Sequence, residues 1–137
     1  LTSGSISTGS PNASTTMSCN TGNGCTLNVQ DANTGIATTS PAYTVASADA
    51  TLSAGTEGYG IFASTTAVGS GGTLKIPAKF DKTGNNVGGL TTSAVLIASS
   101  TASVSNREIV VTHKAAISGT TQAAAYVDTI TYSCTAN

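Results

Sequence analysis

Two stretches decide the fold: Arg107-Glu-Ile-Val-Val-Thr-His-Lys-Ala-Ala-Ile117 and, after the turn residues Ser118-Gly-Thr-Thr-Gln122, Ala125-Tyr-Val-Asp-Thr-Ile-Thr-Tyr-Ser-Cys134. Side chains of a strand point alternately to its two sides. The first run therefore separates Ile109, Val111, His113, Ala115 and Ile117 from Val110, Thr112, Lys114 and Ala116. The second separates Tyr126, Asp128, Ile130, Tyr132 and Cys134 from Val127, Thr129, Thr131 and Ser133. Two alternating runs joined by a short Gly-containing turn predict a β-hairpin.

Working outward, similar short runs recur. Ala13 to Ser18 and Thr26 to Gln30 read as strands, the second alternating with Leu27 and Val29 on one face. Pro41 to Val45, Gly58 to Ala63 and Thr73 to Phe80 read as strands, the last at an edge because Pro77 lacks an amide donor. The glycines around Tyr59 and Ile61 point to a bulge or a close backbone approach. Ala94-Val-Leu-Ile-Ala98 is continuously apolar, as a strand covered on both faces would be. Turn chemistry separates these runs, densest over Asp81 to Gly89. No helical period occurs. The expectation is an all-β protein, an immunoglobulin-like antiparallel sandwich of about eight or nine strands over residues 15–137. Residues 1–14 form an extended arm with Leu1 and Ile6 as its large apolar members.

Five basic and six acidic residues leave a net charge of -1. That balance gives no electrostatic basis for binding nucleic acid or an anionic membrane surface. Charged residues make up 8% of the chain, whereas Ser and Thr number 43, a composition unlike that of a typical cytosolic enzyme. No apolar run reaches the length of a membrane-spanning helix, so membrane insertion is not expected. Leu1-Thr2-Ser3-Gly4 has neither the basic start nor the apolar stretch of a signal peptide and reads as a mature or trimmed beginning.

Cys19 and Cys25 flank the turn-forming loop Asn20-Thr-Gly-Asn-Gly24, which brings their ends within bonding range. A disulfide across the neck of a hairpin loop is the expected arrangement, free thiols and a metal being the alternatives. A disulfide in a small polar domain places it outside the cytoplasm. Cys134 is left over; a buried unpaired thiol is the favoured reading, with an intermolecular link or a different pairing with Cys19 or Cys25 as the alternatives.

The closing stretch Ala124-Ala-Tyr-Val-Asp-Thr-Ile-Thr-Tyr132 resembles the last strand of secreted bacterial β-sandwich proteins, the spore-coat-U-like pilus subunits and the Ser/Thr-rich surface domains of small-genome bacteria. Gly55-Thr-Glu-Gly-Tyr-Gly60 and Asn85-Asn-Val-Gly-Gly-Leu90 are similar to stretches of the surface domains. The resemblance implies an exported, non-enzymatic, immunoglobulin-like module that builds surface layers or pili. In pilus subunits an N-terminal arm supplies a missing strand to the next subunit; here Leu1 to Ser10 lacks the apolar alternation of such a donor.

No catalytic constellation stands out among the residues. His113, the single histidine, lies between Val111 and Ala115 on an apolar face, where a packed, hydrogen-bonded role is expected. No Gly-x-Ser-x-Gly elbow accompanies it. The acids Asp31, Asp49, Glu57, Asp81, Glu108 and Asp128 are scattered; Asp128 shares a face with Tyr126 and Ile130, and Tyr126, Asp128 and His113 are read as structural. Neither a cofactor nor a metal site is expected. Lys75, Lys79 and Lys82 read as a solvated edge that deters aggregation, or as one partner in a lysine-to-Asn or lysine-to-Asp crosslink. Asn12-Ala-Ser14 is an N-glycosylation acceptor, and exposed Ser and Thr can take O-linked sugars.

The reading is thus a non-enzymatic, self-assembling subunit of an extracellular filament, pilus or coat. Leu1, Ile6, Ile109, Val111, Ile117, Ile130 and Tyr132 are expected at subunit contacts. The rival is a monomeric adhesin or carbohydrate-binding module with a glycan partner.

Overall fold

In the computed structural model, which describes residues 1–137, the run Val104–Ala116 forms the longest of twelve strands, β11. Its β-branched and small residues suit a pleated surface covered on both faces. One edge of β11 pairs antiparallel with β2 (Ala13–Cys19) and β1 (Ser7–Thr8), the other with β7 (Gly58–Thr65) and β8 (Ser70–Gly71). A second sheet has β3 (Cys25–Asp31) at its centre, between β10 (Val95–Ser99) and β12 (Ile130–Ala136). Two small ladders complete the fold: β4 (Gly35–Thr39) with β5 (Ala42–Ala46), and β6 (Ala50–Thr51) with β9 (Asn86–Val87). The protein is all-β, built from several antiparallel sheets and without a helix.

The expected terminal hairpin does not form. β11 and β12 belong to different sheets, and the chain between them crosses over. Alternation fixes which face of a strand is buried but is silent about its neighbour. The same correction applies to Cys19 and Cys25: they are bonded, but not across a hairpin neck. Cys19 ends β2 in one sheet and Cys25 begins β3 in the other, with Cα atoms 6.4 Å apart, so the disulfide ties the two sheets together. Gly24 closes the loop at φ 76°, with the Ser100 carbonyl where a Cβ would sit.

One core of 17 buried residues draws on both large sheets. Ile109 and Val111 of β11, Tyr59, Ile61 and Ala63 of β7, and Met17 of β2 meet Leu27 and Val29 of β3 and Ile97 of β10. Phe80, Leu74 and Leu90, from the connections, fill in around them. The outer face of the β11 sheet is covered as well, by a small cluster of Leu52, Val87 and Ala116 against which Ile6 packs. That cover explains Gly60, where a Cβ would stand 2.6 Å from the Val87 side chain. Thr73 to Phe80, expected as a strand, makes only an isolated bridge from Lys75 to Ser99. Its role is to deliver Leu74 and Phe80 to the core.

Candidate functional site

β12 is the least protected strand of the second sheet. On one side it pairs with β3 from Ile130 opposite Asp31 to Ala136 opposite Cys25. The Ala32 amide donates to Thr129 O, and the Asn137 amide to Gly24 O. Because antiparallel partners exchange bonds at every second residue, Thr131, Ser133 and Thr135 also turn their backbone groups toward β3. Ile130, Tyr132, Cys134 and Ala136 then direct theirs outward, where no strand pairs with them. Ahead of β12 the chain continues the same arrangement, with Val127 bonded in both directions to Ala37 of β4 at 2.8 Å. Burial follows the expected phase: Tyr126, Asp128, Ile130 and Tyr132 are half-buried, while Val127, Thr129, Thr131 and Ser133 are exposed. Val127 is 65% exposed, the most of any large apolar side chain. Cys134 breaks the phase. It is exposed and unpaired, not buried as expected, because the inner face of the strand is uncovered that close to the rim.

Beneath the start of β12 lies a cluster of polar groups. Asp31, fully buried at the end of β3, follows Cys25, Leu27 and Val29 in phase and so points inward. Its Oδ1 accepts the Asn33 amide at 2.6 Å. Asp128 reaches the same place from the chain entering β12, against Asp31 and the Tyr59 hydroxyl. Tyr59 is 2.9 Å from His113 Nδ1, with the two rings stacked. Asp31 Oδ2, both oxygens of Asp128 and the Tyr132 hydroxyl are the four buried side-chain atoms in the molecule without a partner. Two carboxylates cannot satisfy each other, since neither has a hydrogen to donate. Burial first, and then the neighbouring Asp31, push the Asp128 carboxyl up to about 6. Burial holds His113 below the usual histidine range, and it raises the Tyr59 and Tyr132 hydroxyls above the usual tyrosine range. The cluster has no hydroxyl placed as a nucleophile: the one bonded to His113 is a phenol that burial keeps protonated.

A third acid is held differently. Glu57 Oε1 accepts the Tyr43 hydroxyl at 2.7 Å, together with the Thr121 hydroxyl and, at 3.5 Å, that of Ser118. The hydroxyls of Thr121 and then Tyr43 stabilise the anion and hold Glu57 below the usual carboxylate range. These bonds pin the crossover after β11 over the β4–β5 ladder, where Tyr43 and Tyr126 meet edge to face at 6.4 Å. Beside them lies an open groove of about 560 Å³ lined by Leu1, Ile36, Ile117 and Tyr126 among others.

The remaining predicted residues fall in distinct places. Ile109 and Val111, expected at subunit contacts, are fully buried in the core and have no surface to offer. Ile6 packs on its own chain, and Leu1 is 53% exposed. Ser7 and Thr8 of the arm pair with Ala115 and Lys114 of the same chain. Lys82 stands 3.9 Å from Asp49 in the single ion pair, and Lys79 lies over the Phe80 ring at 5.4 Å. Sequence reasoning singled out Asp128 but missed Asp31 and Glu57. The period-two phase of Cys25, Leu27 and Val29 already pointed Asp31 inward; nothing local marked Glu57. No helix is long and apolar enough to cross a membrane. Comparison with protein-family models, with curated proteins and with solved structures finds no match.

Proposed function

We propose that this chain is a structural subunit of an extracellular filament, pilus or surface coat, an immunoglobulin-like sandwich that joins copies of itself through sheet edges. The observation that carries this reading is the unguarded edge of β12. Proteins blunt such edges with lysine, proline, bulges or a covering loop. Ile-Thr-Tyr-Ser-Cys-Thr-Ala, residues 130–136, has no charge, no proline and no glycine. β2, the terminal strand of the first sheet, is equally uncharged as Ala-Ser-Thr-Thr-Met-Ser-Cys. Two different edges, one in each sheet, suit head-to-tail addition, which gives open-ended assemblies. The disulfide and the charge-poor, hydroxyl-rich surface fit a secreted protein.

Magnitudes indicate what such an edge supplies. The four outward residues offer roughly eight backbone groups, or about four to eight new hydrogen bonds at ~1 kcal/mol net each. That lies within the ~4–15 kcal/mol that association costs. Apolar contacts by Val127, Ile130 and Tyr132 must then tip the balance. Because the self-paired arm is occupied within its own chain, the edge itself, not a donated arm, is the contact surface.

Light scattering and negative-stain microscopy on Cys134→Pro, with Cys134→Ser as the control for the thiol, test the reading. Proline at 134 removes an outward amide and spares the bonds to β3. Wild type and Cys134→Ser should assemble, and Cys134→Pro should stay monomeric with unchanged circular dichroism. A wild-type chain that stays monomeric at high concentration and binds a glycan would favour the adhesin instead.

A further inference from the structure

We infer that Asp31 and Asp128 form a proton-sharing clamp that seats the C-terminal strand on β3 in mild acid and loosens it as the solution becomes neutral. The clamp concerns how the proposed subunit holds its open edge, but it is a property of the monomer and is tested there.

The geometry asks for a proton. Asp31 has no exposed surface and an unpartnered oxygen, and the half-buried Asp128 brings two more. One hydrogen on Asp128 turns two facing acceptors into a donor and an acceptor. It joins the chain entering β12 to the last residue of β3.

The titratable groups facing Asp128 are few. They are Asp31 from β3, Tyr59 from β7, His113 from β11 behind Tyr59, and Tyr132 from β12. No cation stands among them to balance a second negative charge; the single ion pair joins Lys82 to Asp49 elsewhere. Tyr59 has a single hydrogen to give, and the tautomer of His113, whose Nδ1 is 2.9 Å away, decides whether it goes to the histidine or to Asp128. When Asp128 ionises, with or without the Tyr59 hydrogen turned toward it, the new carboxylate faces Asp31 with no cation between them. In both cases the load falls on the strand that is held from one side only.

The sign follows from the direction of the shift. A carboxyl that is harder to ionise in the seated strand favours seating while it is protonated, and seating weakens as pH rises through about 6. Relative to an exposed aspartate this is about two pH units, so release becomes easier by up to roughly a hundredfold. His113 acts oppositely: burial favours its neutral form, so its contribution is lost as pH falls. The two groups are therefore separable by sign.

Amide hydrogen exchange of the monomer between pH 5 and 7.5, corrected for the intrinsic rate, tests the clamp. Protection at Thr131, Ser133 and Thr135 should fall by about tenfold across that range, with β11 amides unchanged. Asp128→Asn keeps a hydrogen donor toward Asp31 and cannot ionise, and Asp31→Asn removes the opposing charge; either variant should flatten the profile. Wild-type protection that stays level or rises with pH overturns the proposal, whatever the variants do. Protection that returns at pH 7.5 when calcium chloride is added would mean that a cation, not a proton, closes the pair, and also overturns it.

Discussion

β11 and β12 both send alternate apolar side chains to one face, yet one is the best-protected strand of the molecule and the other the most open. β11 is paired along both edges and covered on both faces, by the main core on one side and by Leu52 and Val87 on the other. β12 is paired along one edge, and its inward side chains are only half covered. The contrast teaches that alternation specifies a face and leaves the strand's partners to the rest of the chain. If β11 holds the fold and β12 presents an edge, the same change should cost much more in the first than in the second.

Truncating one isoleucine in each strand should give the largest difference between them. Ile109→Ala empties a fully buried site, and core truncations of this kind cost about 2–5 kcal/mol. Ile130→Ala acts at a half-buried rim position and should cost about 1 kcal/mol. Urea denaturation of the two variants measures both. Equal losses would mean that β12 is as much a part of the core as β11, and the edge reading would fail.

Removing the disulfide tests how the two sheets share stability. In Cys19→Ala/Cys25→Ala the loop is freed, and loop-closure entropy for so short a ring suggests a loss of about 2 kcal/mol. Since the bond ties β2 to β3, and β3 is the sole strand partner of β12, hydrogen exchange should accelerate more in β12 than at the centre of β11. Uniform acceleration would place both strands in one cooperative unit.

The all-β character, the faces of the main strands and the Cys19–Cys25 bond were legible because each follows from spacing within a few residues. The phase of Tyr126, Asp128, Ile130 and Tyr132 was legible even though regular strand begins only at Ile130. Partnership was not. A turn with glycine between two alternating runs suits a hairpin and a crossover equally, and the choice depends on β3, about 100 residues upstream of β12. Thr73 to Phe80 misled because an apolar period also suits a loop that drops Leu74 and Phe80 into a core. Half of the acid cluster was on the page, since Asp31 continues the inward phase of its strand. That it meets Asp128 is a property of the ladder between β3 and β12 alone.

Glu57 supplies the smallest effect and the finest test of the contrast. Its anion gathers hydroxyls from Thr121, Tyr43 and Ser118, and so holds down the crossover that separates β11 from β12. A carboxyl with a lowered pKa contributes stability above its unfolded value, and that stability is lost as pH falls through the folded one. The pin lies near the surface, so solvent keeps its worth below about 1 kcal/mol. The Ser118 amide, bonded to the Thr121 hydroxyl at 2.9 Å, reports on it. Its protection should drop in acid in the wild type, and in Glu57→Gln it should be low at every pH. The amides of β12 should move the other way, gaining protection as Asp128 takes up its proton. Opposite trends at Ser118 and Thr131 within one titration would show that the two ends of the same connection respond to different carboxyls. Parallel trends would show a single acid transition of the whole body and would erase the distinction between the strand that holds and the strand that offers an edge.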